Sequence, residues 1–466
     1  MLKKPINLDR EVKKSLSYSI TEGSFWSIMA GFGESFFGAF AVFLNANNVQ
    51  IGLLGSLPQF LGSVSQLFTL KLLEFFKSRK KFVVVNVVLQ ALMHLPIIFA
   101  FFIPHVKIQY LIFFVCLYFI FGAIGSPAWN SWMGNLVDSS TKGSFFGIRN
   151  RLINICMLLS FTAGGYILYR FSDGSMRQFT GYAIIFFIAL LARLMSSHLL
   201  SKQYEPHYAV SRERDVGFFE IFKKSQFKNF KNFALYIALL NFGVFIAGPF
   251  FTPYMLYELK FNYLQFTAIN ATAILVKFLF TPVWGKHIDT YGSKKALILA
   301  GVMMPVVPVL WFFSQNFWYL AIIQIYSGFV WSGMDTASAT YIFDSTLPYT
   351  RIKSLSYYNV LSGTTMLLGS LIGGYTIRLN NMFWSSYLLV FIISGIVRLF
   401  ALILLLKIKE TRPVEKTSYD GLFFKIVSSE PIMNTVYSFF FFRQRKIRNE
   451  KISIHSKKGR VMINIK

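Results

Sequence analysis

The sequence predicts an all-α integral membrane protein with twelve transmembrane helices, arranged as two six-helix halves. The first observation is composition: 54% of the 466 residues are hydrophobic and only 14% are charged, whereas soluble domains carry about 25% charged residues. The second is a series of charge-free stretches long enough to cross a bilayer, which takes roughly 20 residues of helix. The third is the placement of the Lys and Arg residues, which gather in alternate loops between those stretches.

Charged residues bound each stretch, and polar turns at residues 45–48 and 314–316 divide the two longest stretches into separate spans. The first six predicted spans are Phe25–Asn45, Ile51–Leu70, Phe82–Ile103, Gln109–Trp132, Leu152–Tyr169 and Gly181–Leu200. The second six are Phe233–Tyr257, Leu264–Trp284, Ala296–Phe313, Phe317–Tyr341, Leu355–Ile377 and Phe383–Leu406.

The basic residues predict the orientation, because cytoplasmic loops of membrane proteins carry an excess of Lys and Arg. Of the 47 basic residues, 38 fall at the termini and in the loops on the same side, and five fall on the opposite side. Both termini are therefore predicted to be cytoplasmic. This distribution accounts for most of the net charge of +27, so we expect the lipid bilayer and no nucleic acid as a partner.

The longest interior loop divides the predicted spans six and six. The expected organisation is a cytoplasmic N-terminus at 1–20, a six-helix half at 21–200, a basic cytoplasmic linker at 201–231, a six-helix half at 232–407 and a basic cytoplasmic tail at 408–466. A shift of 209 residues aligns Gly-Gly-Tyr at 164–166 with the same residues at 373–375. A shift of 205 aligns Tyr182, Phe186 and Arg193 with Tyr387, Phe391 and Arg398. These matches predict a parallel repeat about a pseudo-two-fold axis along the membrane normal, with the substrate site between the halves.

The loop after the eighth span carries a motif of spaced glycines, an acid and two bases. It consists of Gly285, Asp289, Gly292, Lys294 and Lys295. With the twelve-span topology, it resembles the cytoplasmic loop signature of the major facilitator superfamily. The resemblance implies alternating access, with this loop as a cytoplasmic gate. The plain alternative is a basic cytoplasmic loop with a helix-capping Asp.

The loop after the second span resembles a degenerate first copy of that signature, in which Glu74 replaces the Asp and Arg79 and Lys80 supply the bases. The segment 127–133 resembles a loosely characterised bacterial group within the superfamily, which indicates a bacterial inner membrane. Two departures count against a standard multidrug antiporter: the fourth span has no Arg, and no Pro precedes Gly164 in the fifth.

Ionisable residues at membrane depth are functional candidates because their burial is costly. Of the 20 acids, Glu34 and Asp335 lie well inside predicted spans. The resemblance implies that the first and tenth spans line the cavity, so either carboxylate could carry a proton. The alternative is a fixed structural partner for a buried base or backbone group. Lys277 is predicted to pair with an acid or an anionic substrate, or else to extend toward the cytoplasmic interface. Further cavity candidates are Asn130, Asn241, Trp129 and Trp331, each of which could instead bond between helices.

Other features bear on cofactors and on the tail. Cys116 and Cys156 both fall inside spans, so neither a disulfide framework nor a metal site is expected. The chain has no phosphate-binding loop and no catalytic cluster, so neither a cofactor nor an enzymatic activity is expected. The tail places an aromatic run, 437–442, directly before four bases, which suits an anionic membrane surface as well as a plain disordered tail.

Together these features predict a secondary active transporter that moves a small solute by alternating access, coupled to protons or another ion, and acting as a monomer. The competing prediction is a membrane receptor or assembly factor of the same fold with no transport cycle. Fold alone names no substrate.

Overall fold

A computed structural model describes residues 6–137, 142–206, 227–346, 350–380 and 385–411. Helices joined by short turns make up these residues. The predicted basic tail and most of the predicted linker lie outside the described residues. We refer to residues 6–206 as the N-terminal half and to residues 227–411 as the C-terminal half.

The described residues of the N-terminal half contain ten α-helices, several of which meet end to end within one predicted span. They are α1 Ile6–Phe32, α2 Phe37–Phe43, α3 Asn48–Ser65, α4 Thr69–Phe76, α5 Arg79–Leu92, α6 His94–Phe99, α7 Lys107–Ile124, α8 Ser126–Leu136, α9 Lys142–Arg170 and α10 Ser175–Ser201.

The described part of the C-terminal half continues in the same manner. Its helices are α11 Lys228–Ala247, α12 Phe251–Pro253, α13 Tyr263–Tyr291, α14 Ser293–Met303, α15 Val306–Leu310, α16 Phe317–Ser345, α17 Arg351–Leu379 and α18 Ser386–Leu405. A π-helical turn, Tyr254–Glu258, follows α12.

Ten helical segments among the described residues are long and apolar enough to cross a membrane, which confirms a multi-pass helical membrane protein. Helix also covers the other two predicted spans, at residues 48–76 and 317–345, although these are not among the ten. The prediction of twelve crossings therefore stays a prediction.

Local sequence explains where α3 and α13 begin. Asn47 accepts a hydrogen bond from the backbone N–H of Gln50, and the Gln50 side chain accepts one in return from the backbone N–H of Asn47. Asn262 and Gln265 form the same reciprocal pair at the start of α13. Such capping boxes satisfy backbone donors that the first helical turn leaves without partners.

The two halves pack along two pairs of helices, α3 against α17 and α9 against α13. Small residues permit this approach, as expected where apolar helices have no hydrophobic drive to associate in lipid. A Cβ added at Gly52 on α3 would lie 2.7 Å from the carbonyl oxygen of Ser370 on α17. A Cβ added at Gly165 on α9 would clash with the Thr267 hydroxyl on α13.

Hydrogen bonds join the halves at the end of the molecule remote from the start of α1. The hydroxyl of Tyr387 donates to Asn48 Oδ1 at 2.9 Å, and that of Tyr182 donates to Tyr263 at 3.0 Å. The Tyr257 hydroxyl also donates to the carbonyl oxygen of Val42. These contacts hold the two halves together at this end, which the charge distribution predicts to be extracytoplasmic.

Candidate functional site

An ion pair joins two helices of the C-terminal half. Lys277 Nζ on α13 lies 2.5 Å from Asp335 Oδ2 on α16, and the two side chains are 47% and 46% exposed. The structure therefore brings together two of the residues singled out from the sequence. Both side chains are nearly half-exposed at the surface of the polypeptide.

Further bonds between α13 and α16 fix the position of this pair. The Thr281 and Ser332 hydroxyls are 3.2 Å apart, and Trp284 Nε1 donates to the Phe329 carbonyl oxygen at 3.1 Å. In this arrangement, either charged group can bind a polar group of a substrate in place of its partner. The acid can also bind a proton in place of the base.

Glu34 lies where α1 ends, in the short 3₁₀ turn Glu34–Phe36. The hydroxyl of Tyr118 on α7 donates to Glu34 Oε2 at 3.2 Å, and it also approaches Met29 Sδ at 2.7 Å. The ring of His94 packs edge-on against Tyr118. Glu34 is half-buried, so one neutral hydrogen-bond donor and partial solvent access define its surroundings.

A second acid on α1, Glu22, is more deeply buried than Glu34, with only 3% of its surface exposed. Its Oε2 accepts a hydrogen bond from Arg149 Nη2 at 3.0 Å, and its Oε1 accepts one from the Ser196 hydroxyl at 3.0 Å. Arg193 Nη1 lies 3.9 Å from the same Oε1. Arg193 in turn donates through Nε to Gln90 Oε1 at 2.8 Å. One carboxylate therefore bridges two guanidinium groups from α9 and α10.

These charged groups border a cavity of about 270 Å³ inside the N-terminal half. Trp129, a residue predicted to line a cavity, borders it, and the guanidinium of Arg149 lies 4.6 Å from the centre of the Trp129 ring. Asn86 adds a polar group to the wall. The cavity is thus bordered by charged and polar groups on one part of its wall and by aromatic and aliphatic side chains on the rest.

This network was not predicted from the sequence. The predicted first span begins at Phe25, and Arg149 is predicted to be a loop base, but α1 is a membrane-spanning candidate from Arg10 and Arg149 is buried. A signal was present in the sequence: Ser15, Ser19 and Glu22 recur at helical spacing, and all three side chains are buried.

The loop between α4 and α5 is held by an acid from beyond α10. Glu205 Oε1 accepts the backbone N–H of Arg79 at 2.7 Å, and Glu205 Oε2 accepts the Ser78 hydroxyl at 2.6 Å. The buried guanidinium of Arg79 lies 3.6 Å from Glu205 Oε1, and Lys80 Nζ donates to the Gln203 carbonyl oxygen at 2.9 Å. Glu74, the acid expected in this role, is exposed on α4.

The loop between α13 and α14 has the same arrangement. Glu410 Oε2 accepts the backbone N–H of Lys294 at 2.9 Å, and the Ser293 hydroxyl lies 3.5 Å from Glu410 Oε1. Gly292 joins the two helices with a φ of +91°, a conformation that glycine adopts without strain. In each loop, therefore, a Glu from after the last helix of that half binds the start of a helix.

The remaining candidates are placed as follows. Gly285 is half-buried and Asp289 is exposed on the last turns of α13, and Lys295 lies in the first turn of α14. Asn130 is exposed on α8, Asn241 is half-buried on α11, and Trp331 lies one turn before Asp335. Within the described residues, no group of three or more His, Cys, Asp or Glu side chains could hold a metal ion.

Comparison with known proteins finds one family model that matches part of the chain and several solved structures of similar fold. The family model of the Major Facilitator Superfamily matches residues 233–444. A search of curated proteins finds no match. Among solved structures, a D-xylose-proton symporter is 13% identical, with a TM-score of 0.67 over 87% of this chain and 99% of its own. A variant of the nucleoside transporter NupG is 14% identical, with a TM-score of 0.63 over 85% of this chain and 100% of its own.

A bacterial homologue of the human lysosomal transporter Spinster, in an inward-facing conformation, is 13% identical, with a TM-score of 0.54 over 93% of this chain and 99% of its own. These identities establish a shared fold. The family and these neighbours are transporters and not enzymes, in agreement with the expectation from the sequence.

Proposed function

We propose that the chain is a member of the Major Facilitator Superfamily and a secondary active transporter; the match of residues 233–444 and the shared fold support this. It moves a small polar solute across the membrane by alternating access of the two halves. The coupling ion is a proton. The structural similarity to a nucleoside transporter and to a D-xylose-proton symporter supports this class of substrate.

The observation that carries the proposal is the partly exposed ion pair between Lys277 and Asp335. A structural ion pair buried at membrane depth repays its desolvation cost only when its geometry is good and further hydrogen bonds satisfy both groups. In this pair, each of the two side chains is nearly half-exposed. A solute with a carbonyl, hydroxyl or anionic group can therefore replace Asp335 as the partner of Lys277. The released carboxylate can then take up a proton.

Glu34 is the second acid on the proposed proton pathway. Its one described side-chain partner is the neutral hydroxyl of Tyr118, so no cation fixes its charge at hydrogen-bond distance. Glu22 differs because two guanidinium groups hold it. We assign Glu34 and Asp335 to coupling and the Glu22 network to the rigid frame of the N-terminal half. The side chains of Asn241, Asn130, Trp129 and Trp331 complete the proposed pathway.

The two Glu-bound loops form the proposed cytoplasmic gate. Residues Gly285, Asp289, Gly292, Lys294 and Lys295 form its C-terminal copy, and Glu74, Arg79 and Lys80 its N-terminal copy. The hydrogen bonds between the halves at the opposite end support a state closed toward the outside. Rocking of the halves would break those bonds and close the gate loops.

The proposal includes the remaining predictions from the sequence. There are twelve transmembrane helices in two halves related by an axis along the membrane normal. Both termini are in the cytoplasm of a bacterial cell, the transporter acts as a monomer in the inner membrane, and the basic tail lies on anionic lipids.

Reconstitution of the full chain into proteoliposomes tests the function. Uptake of a panel of radiolabelled nucleosides and pentoses is measured with and without an imposed pH gradient. We expect uptake of at least one solute, stimulated by the gradient and abolished in Asp335→Asn. Asp173→Asn is the matched control, because Asp173 pairs with Arg177 at an exposed position. A correctly folded protein that moves none of a wide solute panel would instead favour a receptor or assembly role.

A further inference from the structure

A basic cleft of about 570 Å³ lies where α1 begins, outside the proposed transport pathway. Its walls come from the first turns of α1, the start of α5 and the segment after α10. Lys14, Lys80 and Lys202 line it, with Glu11 as an acid in the wall. The cleft therefore carries a net charge of about two positive units, from three ammonium groups against one carboxylate.

Gln203, one of the residues that line the cleft, has a side-chain amide without a hydrogen-bond partner among the described residues. Gln203 is 0% exposed, and neither its side-chain nitrogen nor its side-chain oxygen has a hydrogen-bond partner in the described part of the chain. Leaving one buried polar group unpaired costs about 1–3 kcal/mol. A buried amide without a partner among the described residues, on a residue that lines a cleft, therefore favours a ligand at this position.

Specific bonds hold the lining of this cleft in place. The Tyr204 backbone N–H donates to the Ser15 hydroxyl at 2.7 Å, and Lys80 Nζ donates to the Gln203 carbonyl oxygen at 2.9 Å. Ser15 is buried, and Lys14 Nζ lies 5.8 Å from the centre of the Tyr18 ring. The basic groups are thus positioned by contacts with α1 and with the segment after α10.

We propose that this cleft binds a phosphate group, carried either by an anionic phospholipid or by a small soluble molecule. Ammonium groups recognise phosphate as point charges, and the Gln203 amide can turn to donate to a phosphate oxygen. The cleft adjoins Glu205, which follows Gln203 by two residues and binds the start of α5. A bound phosphate would therefore tie α1, α5 and the gate loop together.

Purified full-length protein in detergent allows a direct test by native mass spectrometry. Phosphatidylglycerol, phosphatidylcholine and inorganic phosphate are added separately, and bound adducts are counted. The variant Lys14→Gln/Lys80→Gln/Lys202→Gln removes the cleft charges. The control Lys13→Gln/Lys77→Gln/Lys81→Gln removes three exposed lysines nearby that do not line the cleft, so both variants lose the same charge.

We expect the cleft variant to lose at least about tenfold in affinity for its phosphate ligand, and the control to change much less. Gln203→Leu should also weaken binding without a change in charge. Competition by inorganic phosphate would assign a soluble ligand, and retention of phosphatidylglycerol alone would assign a lipid headgroup. Equal losses in the cleft and control variants, or no binding of either phosphate source, would overturn the proposal.

Discussion

Glu205 and Glu410 make the same hydrogen bond in the two halves. Each carboxylate accepts the backbone N–H of a basic residue, Arg79 or Lys294, that directly follows a Ser at the start of a helix. The two acids are 205 residues apart, the same shift that aligns Arg193 with Arg398. In each half, therefore, a Glu just after the last predicted span of that half binds the loop that follows the second span of that half.

Removal of the Glu205 carboxylate tests this bond. We expect Glu205→Ala to lower the free energy of unfolding by about 2 kcal/mol, since it removes a helix cap and the carboxylate nearest to buried Arg79. Glu410→Ala should cost less, because the described residues show no base at ion-pair distance from Glu410. Thermal unfolding in detergent measures both. Glu74→Ala is the control, and a larger effect for Glu74 than for Glu205 would contradict the assignment.

The positions of the helices could be predicted from charge-free stretches in the sequence, whereas the contacts between helices depend on the three-dimensional packing. Charge-free stretches located helix at every predicted span, because lipid tolerates few charged side chains along an exposed helix face. Asp335 and Lys277 stood out because each is charged within such a stretch. Their partnership could not be read from the sequence, since it depends on how α13 and α16 pack. Glu22 was not predicted to lie in a span, because the basic residues before it in the sequence are typical of a cytoplasmic segment.

Glu22→Gln should destabilise the N-terminal half strongly. The substitution keeps the shape of the side chain but leaves the buried Arg149 and Arg193 without the carboxylate between them. Loss of one partner from a buried ion pair costs about 3–5 kcal/mol. The expected result is a markedly lower thermal unfolding temperature in detergent. Glu11→Gln, an exposed position on the same helix, should change it little; equal stability of Glu22→Gln and wild type would refute a framework role.

A substitution of Tyr263 tests whether hydrogen bonds between the halves keep the predicted extracytoplasmic end of the molecule closed. Its hydroxyl accepts a hydrogen bond from Tyr182, and it also contacts Gln178. Tyr263→Phe removes these bonds between the halves and keeps the ring, so the closed end should open more often. Cysteine labelling from the outside, with Cys116 and Cys156 first replaced and a reporter cysteine placed at Leu53 on α3, a partly buried position outside these hydrogen bonds, should then become faster. Phe261→Leu, a nearby change that removes no hydroxyl, serves as the control, and equal labelling in both variants would count against this contact as a gate.

The coupling role of Glu34 can be separated from its structural contact with Tyr118. If Glu34 carries the proton, Glu34→Gln should abolish the stimulation of uptake by an imposed pH gradient while the protein unfolds at an unchanged temperature. Tyr118→Phe removes the hydrogen bond to Oε2 but keeps the carboxylate, so gradient-driven uptake should persist, at a shifted pH optimum. Loss of the hydroxyl removes a donor to the charged form, and this favours protonation. The optimum of Tyr118→Phe should therefore move to higher pH. Gradient-driven uptake that survives in Glu34→Gln would leave Asp335 as the coupling acid.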